Sequence, residues 1–373
     1  MKTKINILII LITLSFASCH SNKKSFRYVN VNGFERTICK NGEGAKFDIN
    51  KIIILKEIKQ VHLGSIEKVS IIDSLIVVKD KYGVYLFNSN GKYLRQIGRK
   101  GLANNEYINL STYYVDNRKN INIVDGCSSK ILTFRTDGTF LNSKKIKDGL
   151  LMQVFDMEPL LSNQLFVCNK ICDDFNDIYG ICTDNLNNFK MVDNTPLKTR
   201  NYLMPIGGHP FSVYNNIIRY VKPFGNCIYT YGSNKVWEIK TKMKVLDDDN
   251  LEDIKILDPT LYIKVLSKKY FVGFTDIFET SKYILLAFSQ VEYVMLNKKN
   301  NTCQVYDYSL SHNSTNAQLI NIMATYNDQL VGIVEPFFRL NISLSKGNEA
   351  LFKALEGRKS FKSPAIIIYD INK

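Results

Sequence analysis

Between Ile71 and Ile146 the apolar positions fall in short runs, each closed by a turn, and the whole pattern is written twice. The first copy reads IIDSLIVVKDKYGVYLFNSNGKYLRQIG and the second NRKNINIVDGCSSKILTFRTDGTFLNSKKI. Asp80 answers Asp125, Leu86-Phe87 answers Thr133-Phe134, and Asn90-Gly91 answers Asp137-Gly138. The two glycines lie 47 residues apart and the two aspartates 45. The runs are β-branched or aromatic, which suits a pleated surface. Asn-Gly and Asp-Gly supply residues that tolerate positive φ in a two-residue hairpin turn. Val84–Phe87 is therefore expected to pair antiparallel with Tyr93–Ile97, and Ile131–Phe134 with Phe140–Ile146. Two further strands per copy make a four-stranded meander, the blade of a β-propeller. A lone blade cannot bury both faces, whereas blades stacked round an axis can.

The remaining chain continues the pattern with more drift. Gln164–Cys168, Tyr179–Thr183 and Phe189–Val192 read as strands of a third blade. Phe211–Tyr214, Ile217–Val221, Cys227–Tyr231 and Val236–Ile239 give a fourth, and Lys269–Phe278 to Cys303–Tyr308 a fifth. Ala317–Tyr326, Leu330–Val334 and Ala365–Ile371 give a sixth, with Phe47–Leu55 as the strand that closes the ring against the C-terminus. Within Ser343–Gly357, Leu351, Phe352 and Leu355 recur at helical spacing, which predicts a helical insertion packed on the disc. The expected fold is thus all-β: a six-bladed propeller of four-stranded antiparallel blades over residues 27–373, with small loop and helix insertions.

Gln96-Ile97-Gly98-Arg99-Lys100-Gly101, followed by Glu106-Tyr107, resembles the link between blades one and two of the six-bladed propeller lipoproteins of Bacteroidales-type bacteria. Those proteins are distantly similar to NHL-repeat propellers. Pro223-Phe224 with Cys227-Ile228-Tyr229, and the closing Ser363-Pro364 to Tyr369, resemble later strands of the same family. The resemblance implies fold and location rather than an activity.

The N-terminus reads as an export signal over residues 1–18. Lys2 and Lys4 precede an apolar run, Ile5 to Phe16, of twelve residues, too short for the roughly 20 a membrane span needs. Phe16-Ala17-Ser18-Cys19 then reads as a lipobox, with Phe16 where Leu is usual. Cys19 is the expected lipid attachment, residues 19–26 a tether, and the location a cell-envelope lipoprotein, periplasm-facing, with surface exposure left open. The net charge of +14 is spread over a Lys-, Asn- and Ile-rich chain, and export argues against nucleic acid as a partner.

No established catalytic signature is present. There is no GxSxG elbow. Cys168, Cys172 and Cys182 fit no zinc spacing; a Cys168–Cys182 or Cys172–Cys182 bridge is open, and buried free thiols are the simpler reading. The acidic run Asp247–Asp258 lacks the glycine of a calcium loop. Asp116, Asp125, Asp156 and Asp276 are candidate axial carboxylates, while the matched Asp80 and Asp125 read better as turn or strand-edge caps. No metal site or cofactor is expected. Inter-blade loops rich in aromatics point to binding: Tyr113, Tyr114, Phe155, His209, Phe211 and Tyr214 form the candidate ligand face. The reading is an envelope-anchored, non-catalytic scaffold for a peptide, protein or glycan. The alternative, from fold analogy alone, is a metal-dependent carbohydrate or lactone hydrolase or lyase.

Overall fold

The computed structural model describes residues 25–30, 45–56, 62–145, 154–160, 164–169, 177–183, 190–194, 208–222, 225–233, 235–240, 244–245, 270–271, 273–288, 293–306, 314–335, 345–356 and 363–372. Two strands, β1 (Ser25–Asn30) and β2 (Lys46–Ile54), precede the first meander. The repeated stretch forms β3 (Ile66–Ile72), β4 (Leu75–Asp80), β5 (Val84–Asn88) and β6 (Tyr93–Ile97), then β7 (Leu110–Val115), β8 (Ile121–Asp125), β9 (Lys130–Phe134) and β10 (Phe140–Lys145). Next come β11 (Val154–Leu160), β12 (Gln164–Asn169), β13 (Asp177–Thr183) and β14 (Lys190–Asn194), followed by β15 (Phe211–Tyr214), β16 (Ile217–Val221), β17 (Cys227–Thr230) and β18 (Lys235–Lys240). A short parallel pair, β19 (Lys244–Val245) and β20 (Tyr270–Phe271), leads to β21 (Asp276–Glu279), β22 (Tyr283–Ala287), β23 (Tyr293–Asn297) and β24 (Thr302–Tyr306). The chain ends with β25 (Ile322–Tyr326), β26 (Gln329–Val334), helix α1 (Glu349–Glu356) and β27 (Ala365–Asn372).

These strands make an all-β propeller of four-stranded antiparallel blades. Five sheets have four strands each: β3–β6, β7–β10, β11–β14, β21–β24 and β25-β26-β27-β2. The sheet β15–β18 departs from the expected pattern by carrying β1 as a fifth strand, parallel to β18. Ser25–Asn30 form that strand, across the expected boundary between tether and propeller at residue 26. The expected strand Lys269–Phe278 divides into β20 and β21.

The stacking follows from the alternation within each strand. Val77, Leu86 and Ile97 on one sheet pack with Tyr113, Ile123 and Phe134 on the next, while Val78 and Phe87 face the other way, onto Ile53, Val331 and Ile366. Each sheet shares such an apolar cluster with its neighbour along the chain, and the last shares one with the first. The ring closes where the sequence places it. β2 pairs antiparallel with β27 from Lys46–Asn372 to Ile54–Ala365, so strands from the two ends of the chain complete one blade. Leu351 and Leu355 of α1 are buried in the cluster beside this blade, with Phe352 packed at its edge.

The hairpin turns differ from the two-residue form expected. Gly91 N–H donates to Asn88 O at 2.9 Å and Asn88 N–H to Lys92 O at 3.0 Å, so the loop has three residues with only Gly91 at positive φ, +73°. Arg135 to Thr139 repeat this arrangement with Gly138 at +87°. This is a turn followed by a glycine bulge, which supplies the strand twist that a primed turn would otherwise give. Asp80 and Asp125 do cap, as their matched positions imply. Asp125 accepts from the backbone N–H groups of Ile108, Asn109 and Ser128, and Asp80 from those of Gly64, Tyr82 and Gly83. Each buried carboxylate ties the incoming loop to the turn that leaves its own strand. Cys168 pairs with Tyr179 and Cys182 with Leu165, three steps apart on the ladder. Their Cα atoms are then about 10 Å apart, too far for a disulfide. Cys172 and Asp247–Asp258 lie outside the described residues.

Candidate functional site

The first strand of each meander runs nearest its counterparts, β7 beside β11, β15 beside β21 and β25 beside β3. The register of β3, β7, β11 and β25 shifts near its start, at Glu67, Ser111, Phe155 and Met323. A bulge re-aims the residues that follow it. Lys68, Thr112 and Asp156 occupy the position just past the shift on three successive blades, and they converge.

Lys68 Nζ lies 2.7 Å from Asp156 Oδ1 and 2.7 Å from Glu158 Oε1. Thr112 Oγ1 reaches Asp156 Oδ1 at 3.3 Å, and the Met157 N–H donates to the same oxygen at 2.9 Å. The other Asp156 oxygen faces His209 Nδ1 at 3.9 Å. His209 N–H donates to Asp276 Oδ1 at 2.7 Å, and Thr275 Oγ1 donates to Asp276 Oδ2 at 2.7 Å. Thus β3, β7, β11, the entry to β15 and β21 are joined by one polar network. Burial alone would lower the Lys68 pKa, but the charges of Asp156 and Glu158 outweigh it and hold the ammonium above its usual range. Burial lowers the His209 pKa despite the nearby Asp156 and Asp276, and among the described residues its Nε2 has no hydrogen-bond partner. Burial raises Asp276.

A cavity of about 390 Å³ opens beside this network, lined by Glu67, Lys79, Asn109, Ser111 and Phe155 as well as Lys68, Thr112 and Asp156. Lys79 is paired with Glu67, so the wall is polar but close to neutral.

The six residues expected to share a ligand face are dispersed. Phe155 lines the axial cavity and His209 adjoins it through Asp156. Tyr113 is fully buried; its hydroxyl donates to Val77 O at 3.1 Å, and Lys68 sits 5.4 Å from its ring centre. Phe211 is packed edge-on against Phe166 at 4.9 Å. Tyr114 lines a different cleft, and Tyr214 donates to Asp328 Oδ1 at 3.3 Å with Lys298 over its ring. Cys19 lies outside the described residues. Of the candidate axial carboxylates, Asp156 and Asp276 do reach the network. Asp125 is a cap, and Asp116 accepts from Arg118 N–H and Asn120 N–H within its own loop. Lys68, Thr112 and Glu158 were not legible as site residues. Lys68 and Thr112 precede the two repeat copies, and their matched places follow from the strand pairing.

The sequence matches a family described as a domain of unknown function, DUF4934, over residues 48–368. The chain belongs to this family. Its match spans the ring from β2 to β27. A protein of Bacteroides fragilis named as an exported protein is similar in structure, with 15% identity, a TM-score of 0.67, and coverage of 94% of this chain and 100% of that one. A member of the DUF4221 family from Bacteroides vulgatus is similar at 9% identity and a TM-score of 0.55, covering 88% of this chain and 99% of that one. At such identities the likeness speaks for the fold. No curated protein matches the chain. Among the described residues no helix is long and apolar enough to cross a membrane.

Proposed function

We propose that this chain is an envelope-anchored, non-catalytic recognition propeller that binds a peptide, protein or glycan at the axial cavity. The observation that supports this most is the cavity itself. It is roomy, lined with hydrogen-bonding groups that can serve a polar ligand, and has Phe155 at the wall for an apolar or sugar face. The charges beside it are already paired, so the site suits recognition better than chemistry. The metal-dependent hydrolase or lyase reading loses its donors here: the Lys68 ammonium sits where a cation would have to meet Asp156 and Glu158. Among the described residues no group of three or more His, Cys, Asp or Glu is placed to hold a metal.

β15–β18 counts as a sixth blade in this reading, since its four antiparallel strands share apolar clusters with the blades on both sides. The envelope location rests on the N-terminal lipobox pattern at Cys19 and agrees with the exported name of the Bacteroides fragilis protein. Labelling cells with an alkynyl fatty acid tests the anchor: the label is expected on the native protein and absent from Cys19→Ala. Screening the purified protein on peptide and glycan arrays tests the recognition role. Reproducible ligands that bind without chemical change are expected, and turnover of a bound sugar or lactone would overturn it.

A further inference from the structure

The two copies of the repeat differ at one matched cross-strand pair, and the difference coincides with a cleft. In the first blade Val77 pairs with Leu86, both fully buried against the second blade. In the second blade the residues that answer them, Asn122 and Thr133, pair in the same register. Asn122 stands three residues before the capping Asp125, as Val77 does before Asp80. Thr133 Oγ1 donates to Asn122 Oδ1 at 2.7 Å, and Asn122 Nδ2 to Asn120 O at 3.3 Å. Among the described residues, one amide hydrogen of Asn122 and the lone pairs of Thr133 have no partner. Asn122 is buried and Thr133 half-buried, so a polar pair where the sister blade packs Val on Leu forgoes hydrophobic stabilisation.

The pair faces a cleft of about 320 Å³ between those blades, within the usual range of ligand pockets, roughly 300–1,000 Å³. Asn117, Asn142 and Gln164 add further amides to its wall, and the exposed Arg118 is also part of the lining. Asp116 holds that loop in shape by accepting from Arg118 N–H at 2.9 Å and Asn120 N–H at 2.8 Å. The Arg118 guanidinium has no carboxylate partner among the described residues.

We propose that this cleft is a second binding site, for an acidic oligosaccharide of the uronate class. Amides and hydroxyls offer paired donors and acceptors to sugar hydroxyls, and a guanidinium takes a carboxylate in a two-point contact. The chain's net charge of +14 favours an acidic ligand. The site is separate from the axial cavity and stands independently of the function assigned there.

The test is calorimetric titration of the purified protein with tetragalacturonate, with maltotetraose and a short polyglutamate as comparators. Asn122→Val with Thr133→Leu gives the second blade the pair that the first already packs; Arg118→Gln is an exposed change that does not depend on packing. Tetragalacturonate is expected to bind, roughly tenfold or more weakly in each variant, and with unchanged affinity in the axial variant Phe155→Ala. The melting temperature of the double variant is expected to hold or rise. No binding of tetragalacturonate, binding that both cleft variants leave unchanged, or equally tight binding of maltotetraose or polyglutamate would overturn the proposal.

Discussion

Replacing Lys68 by methionine removes the charge at the centre of the axial network and keeps most of the side-chain volume. Asp156 and Lys68 are both buried, at 2% and 4% exposure, so an uncompensated carboxylate is left inside the ring. Breaking a buried pair from one side typically costs about 3–5 kcal/mol. The ammonium's position over the Tyr113 ring, 5.4 Å from its centre, adds a smaller loss. For about 320 residues, the span of the family match, the unfolding entropy is roughly 0.7 kcal/mol/K. A loss of about 4 kcal/mol then lowers the melting midpoint by roughly 6 °C. Differential scanning calorimetry at about pH 8 reads this directly. The stranded carboxylates acquire folded pKa values above their unfolded ones, so the variant binds protons on folding and regains stability as pH falls toward those values. The deficit is expected to shrink by about pH 5. Neutralising the partners together, Lys68→Met with Asp156→Asn and Glu158→Gln, is expected to recover most of the loss. An unchanged midpoint at about pH 8, or a deficit that acid does not reduce, refutes the reasoning.

Three further outcomes follow from the same geometry. At Asp125 burial opposes ionisation, but bonds from Ser128, Ile108 and Asn109 outweigh it and set the pKa below the usual carboxylate value. A depressed carboxylate stabilises the fold above its unfolded pKa and loses that contribution as pH falls through the folded one, so Asp125→Asn is expected to lower urea stability by about 1–3 kcal/mol at neutral pH and to flatten the stability curve below about pH 4. Gly91→Ala places a Cβ 2.0 Å from Ile54 O at a φ of +73°, and is expected to shift the urea midpoint sharply downward, well beyond the same change at Gly232, where no atom of the described residues beyond its chain neighbours lies within 4 Å. Ile52→Pro, opposite Ile367 in the closing pair, is expected to abolish cooperative unfolding by circular dichroism, because β27 loses a ladder partner at the seam of the ring.

Much of the ring was legible because its signals are local. Alternating apolar residues, the Asn-Gly and Asp-Gly turns and the capping aspartates lie within one hairpin of each other, and Phe47–Leu55 could be matched to the C-terminal run by the need to close a ring. The pairing of β1 with β18 joins residues about two hundred positions apart and has no local mark. The axial network was hidden for a related reason. Lys68 and Glu158 are separated by 90 residues, and the face each presents depends on a one-residue register shift at Glu67 or Phe155. Tyr113 and Phe211 show the limit of residue type: an aromatic near a strand suits the inside of a blade as well as a ligand face. His209, Asp156 and Asp276 were candidates by residue type alone, and the network that joins them shows only with Lys68 in place.

The most direct test of the recognition account fills the axial cavity. Ser111 lines it and is half-buried, so Ser111→Trp places an indole in the opening with little disturbance to the blade. A ligand selected from a glycan or peptide array is titrated into the protein, into Ser111→Trp and into Phe155→Ala, and recovered for mass spectrometry. The account predicts binding that the tryptophan abolishes and Phe155→Ala weakens, with the ligand recovered at its original mass. Binding that survives the plug, or a ligand recovered in altered form, would contradict it.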